Sequence, residues 1–133
     1  MTTRLATCSC GQLRVTCEGE PVRISICHCL ECQKRTGSVF AAQARFARTD
    51  VTIAGDSAQW TRRGDEGGAA TFHFCATCGA TLYWLPQDVS DLIYVATGAF
   101  ADPTFPPPTV SVYEERQHKW TANIGALAME HHR

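Results

Sequence analysis

Eight cysteines dominate the chemistry that this 133-residue sequence makes available, and seven of them fall into three short clusters. The clusters are Cys8 with Cys10, then Cys27, Cys29 and Cys32, and finally Cys75 with Cys78. Thiolate sulfur is a preferred ligand of zinc, and four thiolates complete its tetrahedral coordination. The spacing therefore predicts two zinc sites, one closed by four thiolates and one left open with three.

Disulfide bonds are the alternative use of an even number of cysteines, and they are typical of small secreted proteins. A secretory signal needs an apolar core near the N-terminus, whereas here a polar cysteine cluster begins at Cys8. Cysteines separated by a single residue also bridge poorly to each other. We therefore expect reduced thiols in a cytoplasmic protein.

The closed site is predicted from two cysteine pairs that each end in glycine. Gly11 follows the first pair and Gly79 the last. Glycine tolerates positive φ, which suits a tight turn whose N–H groups point at sulfur. Extended backbone over the first pair would place both of its sulfurs on one face. The predicted ligands of this structural zinc are Cys8, Cys10, Cys75 and Cys78. Spacing alone leaves open an alternative in which the first pair shares a metal with Cys27 and Cys29.

The open site is predicted from three cysteines within six residues, where a strand turns into a short helix. If the strand is extended, His28 points to the opposite face from Cys27 and Cys29 and is not expected to be a ligand. Three protein ligands with a vacant position are typical of catalytic zinc. The candidate catalytic residues are therefore Cys27, Cys29 and Cys32. Cys17 continues the inward-facing side of another strand, and we predict that it is a buried, unreactive thiol.

The elements that must position these cysteines are mostly short strands. Alternating apolar and polar residues, rich in Val, Ile, Thr and aromatic side chains, predict strands over residues 12–17, 22–27, 39–46, 51–53, 59–62, 70–75, 81–85 and 92–96. Residues 30–36 are predicted to form one short helix, which ends at Gly37. We expect a single domain, residues 1–133, that is mostly β, with several small antiparallel sheets pinned by zinc.

Charge and hydropathy argue against two classes of partner. The net charge is -1 and the pI is about 6.5, whereas electrostatic binding of nucleic acid needs a basic surface. No stretch approaches the roughly 20 apolar residues of a membrane-spanning helix. We therefore expect neither nucleic acid nor a membrane as a partner.

The cysteine motifs, taken in order, resemble those of the glutathione-dependent formaldehyde-activating enzyme family, whose domain also occurs in centromere protein V. The matching segments are residues 8–11, residues 27–38 (Cys-His-Cys-x-x-Cys-Gln-Lys-Arg-Thr-Gly-Ser), residues 74–79, residues 98–103 and the region of Trp120. The resemblance extends from about residue 4 to residue 125. It implies a β-tent fold, a structural zinc on the two glycine-ended pairs, and a second zinc on the triplet close to a glutathione site.

The resemblance also implies a reaction, the reversible joining of glutathione and formaldehyde to S-(hydroxymethyl)glutathione, which makes the protein a zinc-dependent carbon–sulfur lyase. A substrate thiol at the open position of the second zinc would lose its proton, since zinc favours thiolate over thiol. The thiolate would then attack the aldehyde carbon. Lys34 and Arg35 directly follow the triplet and are candidates to pair with the carboxylates of glutathione, the alternative being a solvated helix face.

Two other functions stay open at this point. In the first, both zincs only stabilise a non-catalytic binding module. In the second, the open zinc accepts another small thiol or an electrophile. Loss of the second zinc without unfolding, in a Cys32→Ser variant, would favour a functional site over a structural one.

The remaining aromatic and histidine side chains are expected to be architectural. The aromatic residues of the predicted strands are expected in the core, namely Trp60, Phe72, Phe74, Tyr83 and Trp84. His73 lies between two phenylalanines in the sequence and is expected to face outward. Residues 65–68 are expected to form a hairpin loop.

Overall fold

The computed structural model describes residues 1–64 and 68–133, so the predicted hairpin loop falls outside the described residues except for Gly68. The strands in the described ranges are β1 (Thr3–Thr7), β2 (Arg14–Glu18), β3 (Arg23–Cys27), β4 (Ala41–Ala47), β5 (Val51–Ala54), β6 (Ala58–Arg63), β7 (Ala69–Phe74), β8 (Thr81–Pro86), β9 (Leu92–Ala96) and β10 (Val110–Val112). The α-helix is α1 (Leu30–Thr36), and short 3-10 segments cover Arg48–Asp50, Thr97–Phe100, Glu114–Arg116 and Lys119–Ala126. The predicted mostly β fold with one short α-helix is confirmed.

The strands described form two sheets. One has three strands in the order β1-β2-β5, and the other has seven in the order β10-β3-β4-β9-β8-β7-β6. The sheets were expected to be antiparallel, and all the described pairs are, except that β10 runs parallel to β3. The proline-rich segment before β10 explains this exception, because it carries the chain back along the sheet without entering a strand itself.

The hydrophobic core brings residues of both sheets together. Its fully buried side chains include Ala6 and Val15 from the small sheet and Phe46, Leu82 and Val95 from the large one. Cys17 lies in this core with no exposed surface, and burial raises the pKa of its thiol to about 12. The prediction that Cys17 is buried is thus confirmed.

Helix α1 begins and ends where the sequence predicts. Cys29 is its N-cap, and its sulfur accepts a hydrogen bond from the backbone N–H of Cys32. At the other end Gly37 adopts φ +67 and donates its N–H to the carbonyl of Gln33, a left-handed ending that favours glycine. Among the described residues no helix is both long and apolar enough to cross a bilayer.

One face of the large sheet, here called the site face, carries a row of aromatic rings and arginines in direct cross-strand register. The row is Trp60, Phe72, Trp84, Tyr94, Arg45 and Arg23, on β6, β7, β8, β9, β4 and β3 respectively. Phe72 and Trp84 are buried on this face. Trp60 is 63% exposed because β6 is the edge strand, so the expectation that it lies in the core is wrong.

The opposite face of the same sheet packs against the core, and His73 lies on it. Its ring stacks on Tyr83 with the centroids 4.4 Å apart, and its Nδ1 is 2.8 Å from the hydroxyl of Ser57. His73 is therefore buried, and the expectation that it faces outward is wrong. Both faces of β7 are covered near Phe72 and His73, so the alternation of His73 with phenylalanines does not imply that His73 is exposed.

Candidate functional site

The structure gathers seven of the eight free cysteines into two groups of sulfurs that could hold a metal ion. The first, here called the quartet, comprises Cys8, Cys10, Cys75 and Cys78, and the second, the triplet, comprises Cys27, Cys29 and Cys32. Within each group all ligand atoms lie within 4.8 Å of one another. The alternative in which the first pair joins the triplet is contradicted, as is the use of these cysteines in disulfides.

The quartet is built from two turns that end in glycine at positive φ. Gly11 has φ +84 and donates its N–H to the carbonyl of Cys8, and Gly79 has φ +81 and donates to that of Cys75. The predicted glycine turns are therefore confirmed. The expectation of extended backbone across Cys8 and Cys10 is wrong, because the chain turns there instead.

Hydrogen bonds to sulfur favour the thiolate form at two positions of the quartet. Leu13 donates its backbone N–H to Cys8 Sγ at 3.3 Å, and Gln12 Nε2 lies 3.1 Å from Cys75 Sγ. The Gln12 bond, with backbone N–H groups of Cys78 and Thr77, lowers the pKa of Cys75 to about 6. The chain thus supplies donors to at least two sulfurs before any metal is considered.

The triplet lies where β3 passes into α1, and all three of its sulfurs belong to buried residues. Cys27 ends β3 between the neighbouring strands β4 and β10. Hydrogen bonds from Cys27 and Cys29 lower the pKa of Cys32 to about 5 against the effect of burial. The hydrogen bond to Cys32, together with burial, raises the pKa of Cys27. These contacts therefore favour the thiolate form of Cys32 over that of Cys27.

Two arginines supply positive charge beside that sulfur. Arg62 Nη2 lies 3.5 Å from Cys32 Sγ, and the charges of Arg35 and Arg62 both help to lower the pKa of Cys32. Arg35 is 4.7 Å from the ring centroid of Phe72 and 4.4 Å from that of Trp84, and Arg62 is 4.6 Å from Phe72. Stacking on buried rings holds both guanidinium groups in place and favours their charge.

A cavity of about 310 Å³ opens at the triplet on the site face. All three cysteines line it, together with Gln43, Arg62, Phe72, Trp84, Asp88, Tyr94 and Tyr113. Tyr113 packs against the triplet and adopts the left-handed conformation, φ +58, which is uncommon for a residue other than glycine. Such strain is often found at functional sites, where the surrounding structure maintains it.

The predicted substrate contacts differ in where they lie. Arg35 is half-buried between the aromatic rings and is not among the residues that line the cavity. Lys34 is exposed on the last turn of α1. His28, as predicted, faces away from the sulfurs of the triplet, with its Nε2 3.2 Å from the hydroxyl of Ser111 and its ring 6.0 Å from that of Phe40.

Sequence reasoning missed Arg62 and Tyr113 as residues of the cavity. Arg62 lies 30 residues from Cys32 and reaches it only because β6 and β7 extend the sheet beyond α1. Tyr113 reaches the triplet because β10 pairs with β3, so that Val112 lies opposite Cys27. Neither pairing leaves a local signal in the sequence. The one available signal is that Arg62 lies two residues after Trp60 on β6, so both side chains lie on the same face of the sheet.

Comparisons with known proteins support a family assignment. The family model described as "Glutathione-dependent formaldehyde-activating enzyme" matches residues 3–116. A crystal structure of a Rhodobacter sphaeroides protein is similar with a TM-score of 0.57 and 17% sequence identity, over 81% of this chain and 99% of that one. At that identity the similarity shows the fold alone. No curated protein matches the sequence.

Proposed function

The chain belongs to the glutathione-dependent formaldehyde-activating enzyme family, and we propose that it joins a small thiol, glutathione, reversibly to formaldehyde as a zinc-dependent carbon–sulfur lyase. The observation that carries the proposal is that three buried sulfurs within 4.8 Å of one another line a cavity, together with a cationic side chain. The residues proposed to be catalytic are Cys27, Cys29 and Cys32. We further propose that residues 1–133 act as one domain in the cytoplasm.

The donor sets fit zinc at both clusters. A tetrahedral site with Zn–S bonds of about 2.3 Å has sulfurs roughly 3.8 Å apart. In the quartet Cys10 Sγ lies 3.6 Å from both Cys8 Sγ and Cys75 Sγ. We therefore propose a structural zinc on the quartet, and a second zinc on the triplet with one position open toward the cavity. Zinc on the triplet would favour the thiolate form of a substrate thiol at neutral pH.

The surroundings of the triplet supply the rest of the chemistry. Three thiolates and one divalent cation leave a net charge of about −1, and the guanidinium groups of Arg35 and Arg62 offset it. The rings of Phe72, Trp84 and Tyr94 limit access of water from the sheet side. Negative charge at the substrate sulfur is thus matched by fixed cations in a partly dry site, where electrostatic stabilisation is stronger than in water.

The reaction needs only a thiolate, an aldehyde and a proton donor. The substrate sulfur attacks the formaldehyde carbon, a carbon–sulfur bond forms, and the carbonyl electron pair moves to oxygen. The oxygen then takes a proton from water, which balances the proton that the substrate thiol lost. Arg62 lines the cavity beside the sulfurs and is proposed to hydrogen-bond the developing oxyanion. Lys34 and Arg35 stay predicted contacts of the substrate carboxylates, Lys34 from the exposed turn of α1. Cleavage follows the same steps in reverse.

The test mixes zinc-loaded protein with glutathione and ¹³C-formaldehyde and measures their exchange with S-(hydroxymethyl)glutathione by NMR. We expect an exchange rate well above that of the uncatalysed mixture. The matched control is Cys32→Ser, which we expect to remain folded and to show only the uncatalysed rate. A wild-type rate equal to that of the uncatalysed mixture rejects this substrate pair, and unfolding of Cys32→Ser points to a purely structural triplet.

A further inference from the structure

Four arginines with buried nitrogens that lack a partner surround the site face, and they divide into two pairs. Arg35 and Arg62 each have at least one buried guanidinium nitrogen with no hydrogen-bond partner in the described chain, but both lie near the thiolates of the triplet. Arg23 and Arg45 also have a buried Nε without a partner in the described residues. They lie directly opposite each other on β3 and β4. The triplet thiolates supply negative charge beside Arg35 and Arg62, whereas they do not lie beside Arg23 and Arg45.

An anion would stabilise the arrangement of Arg23 and Arg45. Like charges directly opposite on antiparallel strands destabilise a sheet, and a buried donor without a partner costs free energy as well. Among the described residues, neither guanidinium forms an ion pair with a carboxylate. Glu20, three residues before Arg23, is instead bound to Arg4 at 2.7 Å. Burial lowers the pKa of Arg45, and the charge of Arg23 adds to this effect.

The arginine pair is linked to the cavity at the triplet through Tyr94, which contacts Arg45 and lines the cavity. The Arg45 guanidinium carbon lies 4.3 Å from the ring centroid of Tyr94, and Gln43, two residues before Arg45 on β4, also lines the cavity. Cys27 and Arg23 are four residues apart on β3, so their Cα atoms are about 13 Å apart. Because an arginine side chain is long, its guanidinium group can lie closer to the triplet than its Cα atom does. A ligand whose sulfur lies at the triplet therefore reaches the pair with a group several bonds away.

We propose that Arg23 and Arg45, beside Tyr94, form an anion subsite that binds a carboxylate of the thiol substrate. Two guanidinium groups present paired N–H donors, which match the two oxygens of a carboxylate. The substrate class is then a thiol that carries a carboxylate remote from its sulfur. The proposal rests on the proposed function for the position of the sulfur, and it assigns the specificity to residues outside the cysteine motifs.

The experiment compares glutathione with glutathione diethyl ester, which has the same skeleton but lacks both carboxylates. Binding to zinc-loaded full-length protein is measured by titration calorimetry without formaldehyde. We expect the wild-type protein to bind the ester roughly tenfold or more weakly than glutathione, the effect of losing a charge-assisted bidentate contact. In Arg45→Gln we expect glutathione to bind several-fold more weakly than it binds the wild-type protein, while the affinity for the ester stays the same, so that the difference between the two ligands narrows.

A control variant and the wild-type comparison keep the result specific. Arg14→Gln removes an exposed arginine from β2, in the other sheet, and is expected to retain the wild-type difference between the ligands. The wild-type comparison needs no variant, so a misfolded Arg45→Gln does not prevent the test. Equal affinity of the wild-type protein for both ligands, or an unchanged difference in a folded Arg45→Gln, overturns the proposal. Absence of turnover with formaldehyde, while the difference persists, instead rejects the proposed function alone.

Discussion

The two cysteine clusters use the same ligand atom in opposite surroundings. The quartet joins two glycine-ended turns whose cysteines are 65 residues or more apart in sequence, and its Cys10 is exposed. The triplet lies within six residues, and each of its cysteines is at most 6% exposed although they line a cavity. Backbone and amide groups donate to sulfurs of the quartet, whereas guanidinium groups stand beside the triplet.

This contrast indicates that the role of each cluster depends on the groups that complete its coordination and surround it. Four thiolates leave no position for a substrate, and neutral donors tune their charge without offering a reactive surface. Three thiolates leave one position, and fixed cations beside it prepare the site for additional negative charge. On the proposed function, the quartet therefore stabilises the fold and the triplet performs chemistry. Substitutions in each cluster should separate these effects.

The largest effect is expected from Cys75→Ser in the quartet. Loss of one of four ligands removes the metal, and the free energy of metal binding is then lost from folding. We expect the free energy of unfolding to fall by more than about 4 kcal/mol, measured by urea denaturation with zinc content per chain. Thr77→Ala, an exposed change in the same turn, is the control and should alter stability by less than about 0.5 kcal/mol. A Cys75→Ser protein that stays folded with two zincs would contradict the stabilising role proposed for the quartet.

The reciprocal change, Cys32→Ser in the triplet, should separate chemistry from stability. We expect zinc content to fall from about two per chain to about one, because three ligands become two. Activity should fall to the uncatalysed rate, while the unfolding free energy falls by less than about 2 kcal/mol, as expected for a single buried substitution. Glu31→Gln, next to it on α1, is the control. If both clusters lose zinc together, they are not independent sites.

A smaller effect is expected from Arg62→Gln, which removes the cation that contacts Cys32 but leaves all three proposed ligands in place. Mutation of a residue that contacts a metal ligand typically lowers metal affinity or activity by about 10- to 100-fold. We expect a loss in that range, measured as zinc affinity by competition with a chelator and as the exchange rate. Arg63→Gln, the next residue on β6, serves as the matched control. Equal effects of the two variants would show that Arg62 acts only through net charge.

The smallest effect concerns Cys17, which belongs to neither cluster. Its pKa is raised by burial to about 12 from an ordinary value of 9.0. The folded state therefore favours the neutral thiol, and this contribution to stability is fully present below pH 9 and is lost as pH rises toward 12. We expect Cys17 to escape alkylation by iodoacetamide at pH 8 in the native protein and to react in urea, as measured by mass spectrometry. Alkylation in the native state would contradict its burial.

Local features of the sequence predicted the parts of the site that depend on neighbouring residues. Glycine after each pair predicted the turns of the quartet, and Gly37 predicted the end of α1, because positive φ is a local constraint. Alternation of side chains along an extended strand, which is also a local property, predicted that His28 faces away from Cys27 and Cys29. The backbone across Cys8 and Cys10 was wrongly expected to be extended, since one intervening residue is compatible with either a strand or a turn.

The features that the sequence did not predict depend on which strands are neighbours. β1 and β10 were absent from the expected strands, and β10 is held by its parallel pairing with β3 rather than by its three residues alone. Trp60 was expected in the core, but its exposure follows from the position of β6 at the sheet edge. His73 was expected outside, but Tyr83 covers it. Arg62 became part of the cavity in the same way, through sheet order.

The separation of the ligands in the chain also sets an order of events during synthesis. Six cysteines, through Cys32, precede Cys75, which is the 43rd residue after Cys32. At translation rates of 5–20 residues per second this interval lasts about 2–9 s. During it the triplet is complete, while Cys8 and Cys10 have no second pair. If both clusters bind zinc as proposed, the reactive site can be loaded on the ribosome, and the site that stabilises the fold must wait for the chain to close.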